Sequence, residues 1–237
     1  MNRNQLKYLV ILAMLIDHIA WAFVPTASPA GQLMHLVGRL TAPTMAYFIA
    51  EGYRHTQNVK KYVLRLALFA LLSWAPFVYF EFGYFPIHIG KDGFFIQPAT
   101  GVIYTLLLGL LAICLWDRTK WPKWCKVLLT ILLCAVSVIG DWAMFTVLWC
   151  LFFYLYRDDP RKKWLAFSIV GLFSCLPALF SEFWWSGLYN FGIFLVPFPI
   201  QFGYNGQPGS RRSFHKWFFY IFYPAHLLVL GLLKWAL

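Results

Sequence analysis

The sequence predicts an all-α fold: a polytopic transmembrane helical bundle of about nine spans with its N-terminus in the cytoplasm. Three observations predict it. Hydrophobic residues make up 61 % of the 237 and charged residues only 12 %, against roughly half apolar and a quarter charged in a soluble domain. Several apolar runs reach the ~17–25 residues that a helix needs to cross the hydrocarbon. The basic residues gather in short loops between those runs, the pattern of topology determinants. No polar stretch is long enough for a separate globular domain, so residues 1–237 read as a single transmembrane domain. A soluble enzyme, a disordered tail and a secreted disulfide scaffold are excluded.

Taken in order, the first apolar run spans 8–24. Ala27 and Ala30 follow it as they would follow a signal peptide, but Asp17 and His18 interrupt the stretch that should be purely apolar. It reads as a retained span. Spans two, three and four are 33–50, 62–80 and 100–116. The run 127–156 is interrupted by Gly140-Asp141 and reads as a two-span hairpin. Residues 163–180 form span seven, and 186–201, aromatic and carrying Pro197 and Pro199, form span eight. Span nine is 217–236. With this layout all of the twenty Lys and Arg residues except Lys91, Lys234 and Arg39 fall on one side, which the positive-inside rule makes cytoplasmic. The C-terminus then lies outside, in a cytoplasmic (inner) membrane protein.

The +11 formal charge is thereby a topology signal rather than a nucleic-acid footprint, and the bilayer is the partner. Tryptophans such as Trp116, Trp184 and Trp235 fall near span ends, as an aromatic belt does. The five cysteines show no CxxC spacing and read as small core residues. No metal is expected, and no repeat with shared motifs is visible.

An ionisable side chain inside a span costs at least a few kcal/mol and usually faces a cavity or a partner. Asp17 and His18 lie in span one, Arg39 in span two, and His226, with Tyr220 and Tyr223, in span nine. At about 1.5 Å per residue, Asp17 sits roughly 12 Å and Arg39 roughly 10 Å below the outer face. The two spans are joined by a short loop, so an Asp17–Arg39 ion pair is geometrically reasonable. That pair locks two helices together or serves a site. His226 falls near mid-bilayer, about a turn deeper than His18. Histidine titrates where proton transfer at neutral pH needs it. Pro224 removes an amide donor and frees the carbonyl of Tyr220, while Phe219, Tyr223, His226 and Leu230 share one helix face.

A second constellation lies at the inner end. Glu51, Arg54 and His55 close span two, followed by Lys60, Lys61 and Arg65. In the last inner loop Gly203, Gly206 and Gly209 alternate with Asn205 and Pro208 ahead of Arg211-Arg212. Glycine turns can aim amides at an anion, and arginines add bidentate phosphate contacts. Topology determinants or lipid-headgroup contacts are the other reading of these residues.

These residues carry a family resemblance. Asp17-His18, Gly38-Arg39 with Pro43, Glu51-Gly52 with His55-Thr56, Tyr62 and Arg65 resemble the N-terminal half of the TraX family of integral membrane proteins. Ser73 with Pro76-Phe77, Thr105 with Gly109, Asn205-Gly206 with Gly209, Lys216, Phe219-Tyr220, Tyr223-Pro224 and His226 extend the resemblance. Residues 110–200 match mainly as apolar spans. The resemblance implies an acyltransferase that moves an acetyl group from cytoplasmic acetyl-CoA to an acceptor at or across the membrane. The acceptor would be a pilin N-terminus, another peptide, or another amine or hydroxyl.

On that implication Arg54, Lys60, Lys61, Arg65 and the loop residues Asn205, Gly206, Gly209, Arg211 and Arg212 hold the donor's phosphates. His18 is the general base, with His226 as alternative base or acyl carrier. Asp17 orients Arg39, because adjacent helical residues diverge by about 100°. Arg39 or Tyr223 stabilises the oxyanion. Two rivals stand beside this reading: a proton-coupled transporter, and an assembly protein in which these groups are interhelical glue.

Overall fold

Asn2 starts the first helix. Its side chain accepts the Gln5 amide while the Gln5 side chain accepts the Asn2 amide, a reciprocal cap, and α1 runs Arg3–Phe23. The computed structural model describes residues 1–90, 93–180, 183–210 and 212–237. Lys91 and Arg211, both counted above, lie outside the described residues, as does the Lys216 side chain. Among the described residues eight more α-helices follow: α2 Pro29–Gly38, α3 Thr41–His55, α4 Val59–Phe82, α5 Val102–Arg118, α6 Lys123–Val136, α7 Ala143–Leu155, α8 Pro160–Leu179 and α9 Ser213–Ala236. Four helical stretches are long and apolar enough to cross a membrane: α1, α4, α8 and Trp217–Ala236 of α9. The chain is an all-helical membrane protein with one small hairpin.

It divides into two compact units, Met1–Met45 with Ser168–Leu237, and Ala46–Phe167. In the first unit α1 packs on α2 and α9, and α2 packs on a 3₁₀ run, Trp184–Leu195. Glycines permit both approaches of α2. A Cβ on Gly38 would lie 2.2 Å from the Asp17 carboxyl carbon, and one on Gly192 would lie 2.2 Å from the Leu36 carbonyl oxygen. Gln32 fastens the 3₁₀ run: its side-chain amide donates to Thr26 O (2.7 Å) and Ser186 O (2.8 Å), and its oxygen accepts the Tyr189 amide at 3.0 Å.

The expected span two, 33–50, is not one helix. It breaks at Arg39-Leu40, where α2 ends and α3 begins. Leu40 N turns back to Val37 O, and Pro43 has no amide to offer the Arg39 carbonyl, so a continuous ladder would have lost a bond there. Segment 186–201 is not an α-helix either. It is the 3₁₀ run followed by a π turn, Pro199–Gly203, and Pro197 and Pro199 withhold the two amides that an α ladder would aim at the Ile193 and Leu195 carbonyls.

In the second unit α5 packs against α4 and α7, and α6 against α7. Leu108, Ala112, Val147 and Leu151 form the shared core. A Cβ on Gly109 would lie 2.5 Å from Cys150 Sγ, so a glycine facing a small thiol sets that close crossing. The chain turns at Gly140-Asp141. Asp141 N donates to Thr100 O (2.8 Å), Thr105 Oγ1 donates to Asp141 O (3.0 Å), and Trp142 and Ala143 take positive φ of 61° and 39°. The hairpin, β1 Ile87–Gly90 and β2 Gly93–Ile96, pairs antiparallel with Ile87 opposite Ile96. It falls in the loop between spans three and four, where the sequence suggested no strand. All five cysteines are free thiols, with Cys150 and Cys175 buried.

Candidate functional site

Two adjacent residues of α1 face two different partners. Asp17, buried, points at α2, where its Oδ1 accepts a hydrogen bond from His35 Nδ1 at 2.7 Å and its Oδ2 one from Arg39 Nη2 at 3.3 Å. His18 points at α9 instead. The helical twist of about 100° between neighbours produces this divergence.

His35 was passed over in the sequence reading, yet it is the most enclosed polar group here, with no solvent exposure. Its ring packs against Trp21 (centroids 4.3 Å apart) and Tyr189 (5.0 Å), which also touch each other at 6.2 Å. A carboxylate oxygen only accepts, so His35 Nδ1 carries the proton. His35 Nε2 is buried and has no hydrogen-bond partner among the described residues. The Arg39 guanidinium stacks on the same Tyr189 ring, 5.0 Å from its centroid. Asp17 thus holds two donors four residues apart on α2, and Tyr189 covers both. The signal was available: His35 and Arg39 have i, i+4 spacing, which places them on one helix face.

The second contact joins α1 to α9. His226 Nε2 lies 3.2 Å from His18 Nδ1, with the rings edge-to-face at 66°. Each imidazole is oriented by its own helix. His18 Nδ1 lies 2.9 Å from Met14 O, and His226 Nδ1 lies 2.9 Å from Phe222 O. Carbonyl oxygens only accept, so both Nδ1 atoms are N–H donors. The one His18 Nδ1–H is then shared between Met14 O and His226 Nε2, both acceptors, and Nε2 becomes the acceptor nitrogen of His18. Tyr223, also buried, meets the His226 ring edge-on at 5.7 Å, and Phe222 stacks on it at 5.0 Å. Pro224 sits within α9 between Phe222 and His226. The five expected catalytic residues therefore form two linked groups in one unit: Asp17 with Arg39, and His18 with His226 and Tyr223.

The expected phosphate contacts are distributed differently. Asn205, Gly206, Gly209 and Arg212 lie on a strap bound to the start of α1. Asn205 N donates to Met1 O (3.0 Å), Arg3 N to Gln207 O (2.8 Å), and Asn4 Nδ2 to Ser210 O (2.8 Å). Asn205 Oδ1 accepts the Gln207 amide at 3.1 Å. Gly206 and Gly209 take φ of 75° and 74°, the left-handed region that favours glycine. The amides of Asn205, Gln207 and Arg212 are thus already bonded within the chain, which reduces what the loop can offer an anion. Arg212 is exposed. Below the strap, Tyr8 Oη and His215 Nδ1 are 2.8 Å apart, a pair absent from the sequence reading.

Arg54, Lys60, Lys61 and Arg65 belong to the second unit. The first three are exposed, and Arg65 is half-buried with its guanidinium over the Tyr62 ring at 5.3 Å. That unit also holds a cluster the sequence reading missed. Asp117, one residue beyond the expected span 100–116, accepts hydrogen bonds from Tyr154 Oη and, at 2.6 Å, Tyr53 Oη. Arg118 Nε donates to Tyr53 Oη at 3.0 Å. The Tyr154 and Tyr53 hydroxyls hold the Asp117 carboxyl below the usual carboxylate range. Burial, reinforced by Asp117, pushes the Tyr53 hydroxyl up to about 12. Among the described residues no three His, Cys, Asp or Glu side chains gather as a metal-holding group.

The whole chain has known relatives. It is 30 % identical over 247 residues to the probable fimbrial assembly protein FimC, serogroup H1, of Dichelobacter nodosus, with 97 % of each chain covered. No solved structure matches it. The sequence profile described as TraX protein matches residues 2–234, a stretch that takes in Asp17, His18, His35, Arg39, Tyr223 and His226. The chain belongs to the TraX family.

Proposed function

We propose that this protein is a membrane-embedded acetyltransferase that uses cytoplasmic acetyl-CoA. In this reading it is a multi-pass protein of the inner membrane, crossing about nine times, with its N-terminus in the cytoplasm. The observation that carries the proposal is the His18–His226 contact at 3.2 Å, set beside the buried Asp17–His35–Arg39 group.

His18 Nε2 takes the proton from an acceptor amine or hydroxyl as that group attacks the thioester carbonyl. The proton charge on the His18 ring spreads toward His226, whose Nε2 accepts the His18 N–H. Tyr223 or Arg39 donates to the carbonyl oxygen as negative charge gathers there. The carbon–sulfur bond then breaks, and His18 returns its proton to the departing thiolate. Asp17 keeps Arg39 and His35 fixed rather than touching the reactants. His226 as acyl carrier is the covalent variant of the same scheme.

Acceptor identity rests on kinship alone. A relative whose name is probable fimbrial assembly protein supports a pilin or other peptide N-terminus as acceptor. In the first unit, Arg212 and the turn at Gly206 and Gly209 are the expected contacts for the donor's phosphates. Arg54, Lys60, Lys61 and Arg65 carry the same expectation from the sequence. The direct test incubates purified protein with acetyl-labelled CoA and a peptide amine. Transfer lost in His18→Ala with donor binding kept supports the assignment; full transfer in that variant contradicts it.

The imidazole pair also favours one rival, a proton-coupled transporter, since two linked histidines form a relay. That reading requires proton flux in vesicles and no dependence on CoA.

A further inference from the structure

The second unit contains a cavity of ≈ 70 Å³ lined by charged and aromatic side chains. Arg54, Arg157 and Lys163 line it together with Glu51, and Tyr47, Phe153 and Tyr154 supply aromatic surface. Three cationic side chains therefore face one carboxylate, so the cavity carries a net positive charge at neutral pH.

The cations are held rather than loosely displayed. The Arg157 guanidinium lies 4.5 Å from the Tyr154 ring centroid, and its Nη1 donates to Tyr154 O at 2.9 Å. Its Nε also meets the exposed Asp158 carboxylate at 3.4 Å. Tyr154 is itself anchored through its hydroxyl to Asp117. The Lys163 ammonium lies 5.4 Å from the Trp164 ring centroid. A chain of contacts from Asp117 through Tyr154 thus fixes the position of Arg157, which lowers the entropy that a ligand would otherwise spend in ordering it.

Size narrows the ligand class. Sites for whole small molecules have volumes of about 300–1,000 Å³, so ≈ 70 Å³ excludes burial of an entire nucleotide-sized molecule. It is several times the roughly 10–15 Å³ that one water needs, enough for a single tetrahedral oxyanion. A planar arginine fork beside a lysine point charge suits phosphate oxygens. The site also lies where helices end: Arg54 is next to last in α3, Arg157 follows α7, and Lys163 is in the first turn of α8. The charge pattern puts these ends at the cytoplasmic interface.

We infer that this cavity binds the phosphate of a phosphate-bearing ligand, with Arg157 and Lys163 as its principal cations and Tyr154 as their support. Arg54 is also an expected contact of the acetyl-CoA phosphates, but Arg157 and Lys163, on which the inference rests, have no part in that reading. Two sources supply such a group: an anionic phospholipid headgroup, or a soluble phosphate.

The test uses the full chain purified in detergent, with Arg157→Gln, Lys163→Gln and Glu51→Gln variants and their ligand-free unfolding midpoints. One arm measures retention of phosphatidylglycerol against phosphatidylcholine by native mass spectrometry. The other measures thermal stabilisation by inorganic phosphate against chloride at equal ionic strength. Saturable binding in either arm is expected, and the arm that responds identifies the source. Arg157→Gln and Lys163→Gln should each weaken it about tenfold or more, the loss of one hydrogen bond to a charged group. Glu51→Gln should strengthen it, an opposite change that general unfolding cannot mimic. Absence of binding in both arms, or binding that all three variants leave unchanged, overturns the inference.

Discussion

His226 Nε2 of α9 lies 3.2 Å from His18 Nδ1 of α1, while each imidazole's own Nδ1 is directed to the carbonyl four residues earlier. The two carbonyls decide the tautomers, and the tautomers give the pair a direction. His18 presents its Nε2 as acceptor, and His226 stands behind it to share the resulting charge. His18→Ala should therefore lower acetyl transfer by about 10²–10⁴-fold, and His226→Gln should lower it less, with donor binding retained in both. Steady-state rates together with a separate binding measurement check this. Equal losses in binding and in rate would point to structural damage instead.

Asp17 accepts from both His35 and Arg39 in a nearly dry environment. Removing the carboxylate leaves two donors facing each other. Asp17→Ala should cost about 3–5 kcal/mol, as breaking a buried ionic contact does, and it should show as a lower unfolding midpoint in detergent. A double-mutant cycle of Asp17→Asn with His35→Gln should give a coupling of about 0.5–3 kcal/mol. Additive effects would mean the 2.7 Å contact has no energetic weight.

Gly38 leaves room for that carboxylate against α2. A methyl group there would sit 2.2 Å from Asp17 Cγ, so Gly38→Ala must push Asp17 aside. About 1–3 kcal/mol of destabilisation is expected, the range for overpacking. Gly171→Ala should cost less, because its nearest neighbour is the Ile193 side chain at 3.3 Å. Paired thermal melts of the two variants make the comparison, and a reversed order would contradict the packing described.

Acid should expose the Asp117 cluster. The Tyr154 and Tyr53 hydroxyls lower the Asp117 pKa in the folded protein. A depressed carboxylate contributes stability that is complete above its ordinary value, 3.8. That contribution is lost as pH falls below 3.8 toward the lower folded-state value. Tyr53, at about 12, remains a neutral donor throughout. Unfolding midpoints should thus fall more steeply from about pH 4 downward in the wild-type protein than in Asp117→Asn. Parallel curves would remove Asp117 from the account.

Much of this arrangement was written in the sequence, through the cost of polar groups in apolar runs. Asp17, His18, Arg39 and His226 stood out for that reason, and the structure brings them together in two groups. His35 did not stand out, although it lies in the same apolar stretch as Arg39 and one turn before it. Its partner, Asp17, is eighteen positions away, and the pairing becomes visible only once α1 and α2 are laid together at Gly38.

The break at Arg39-Leu40 escaped because hydropathy has no term for a missing amide, though Pro43 marked the place. The 3₁₀ run Trp184–Leu195 escaped for a similar reason: apolarity over that length looks alike for any helix type. The Tyr53–Asp117–Tyr154 cluster joins residues from α3, α5 and α7, and nothing local to any of them reports the other two. The loop from Asn205 to Arg212 was legible as glycine-rich, but not as a strap whose backbone exchanges hydrogen bonds with Met1, Arg3 and Asn4.

Removal by His18 of a proton from an acceptor that attacks acetyl-CoA is the step on which the proposed chemistry rests. It is tested most directly by following label from acetyl-labelled CoA into a peptide amine with purified wild-type and His18→Ala protein in detergent. Transfer by the wild type, its loss in His18→Ala, and unchanged binding of acetyl-CoA by both are expected. No transfer and no binding by the wild type, with proton flux in vesicles that requires His18 and His226, would contradict it and assign the pair to transport.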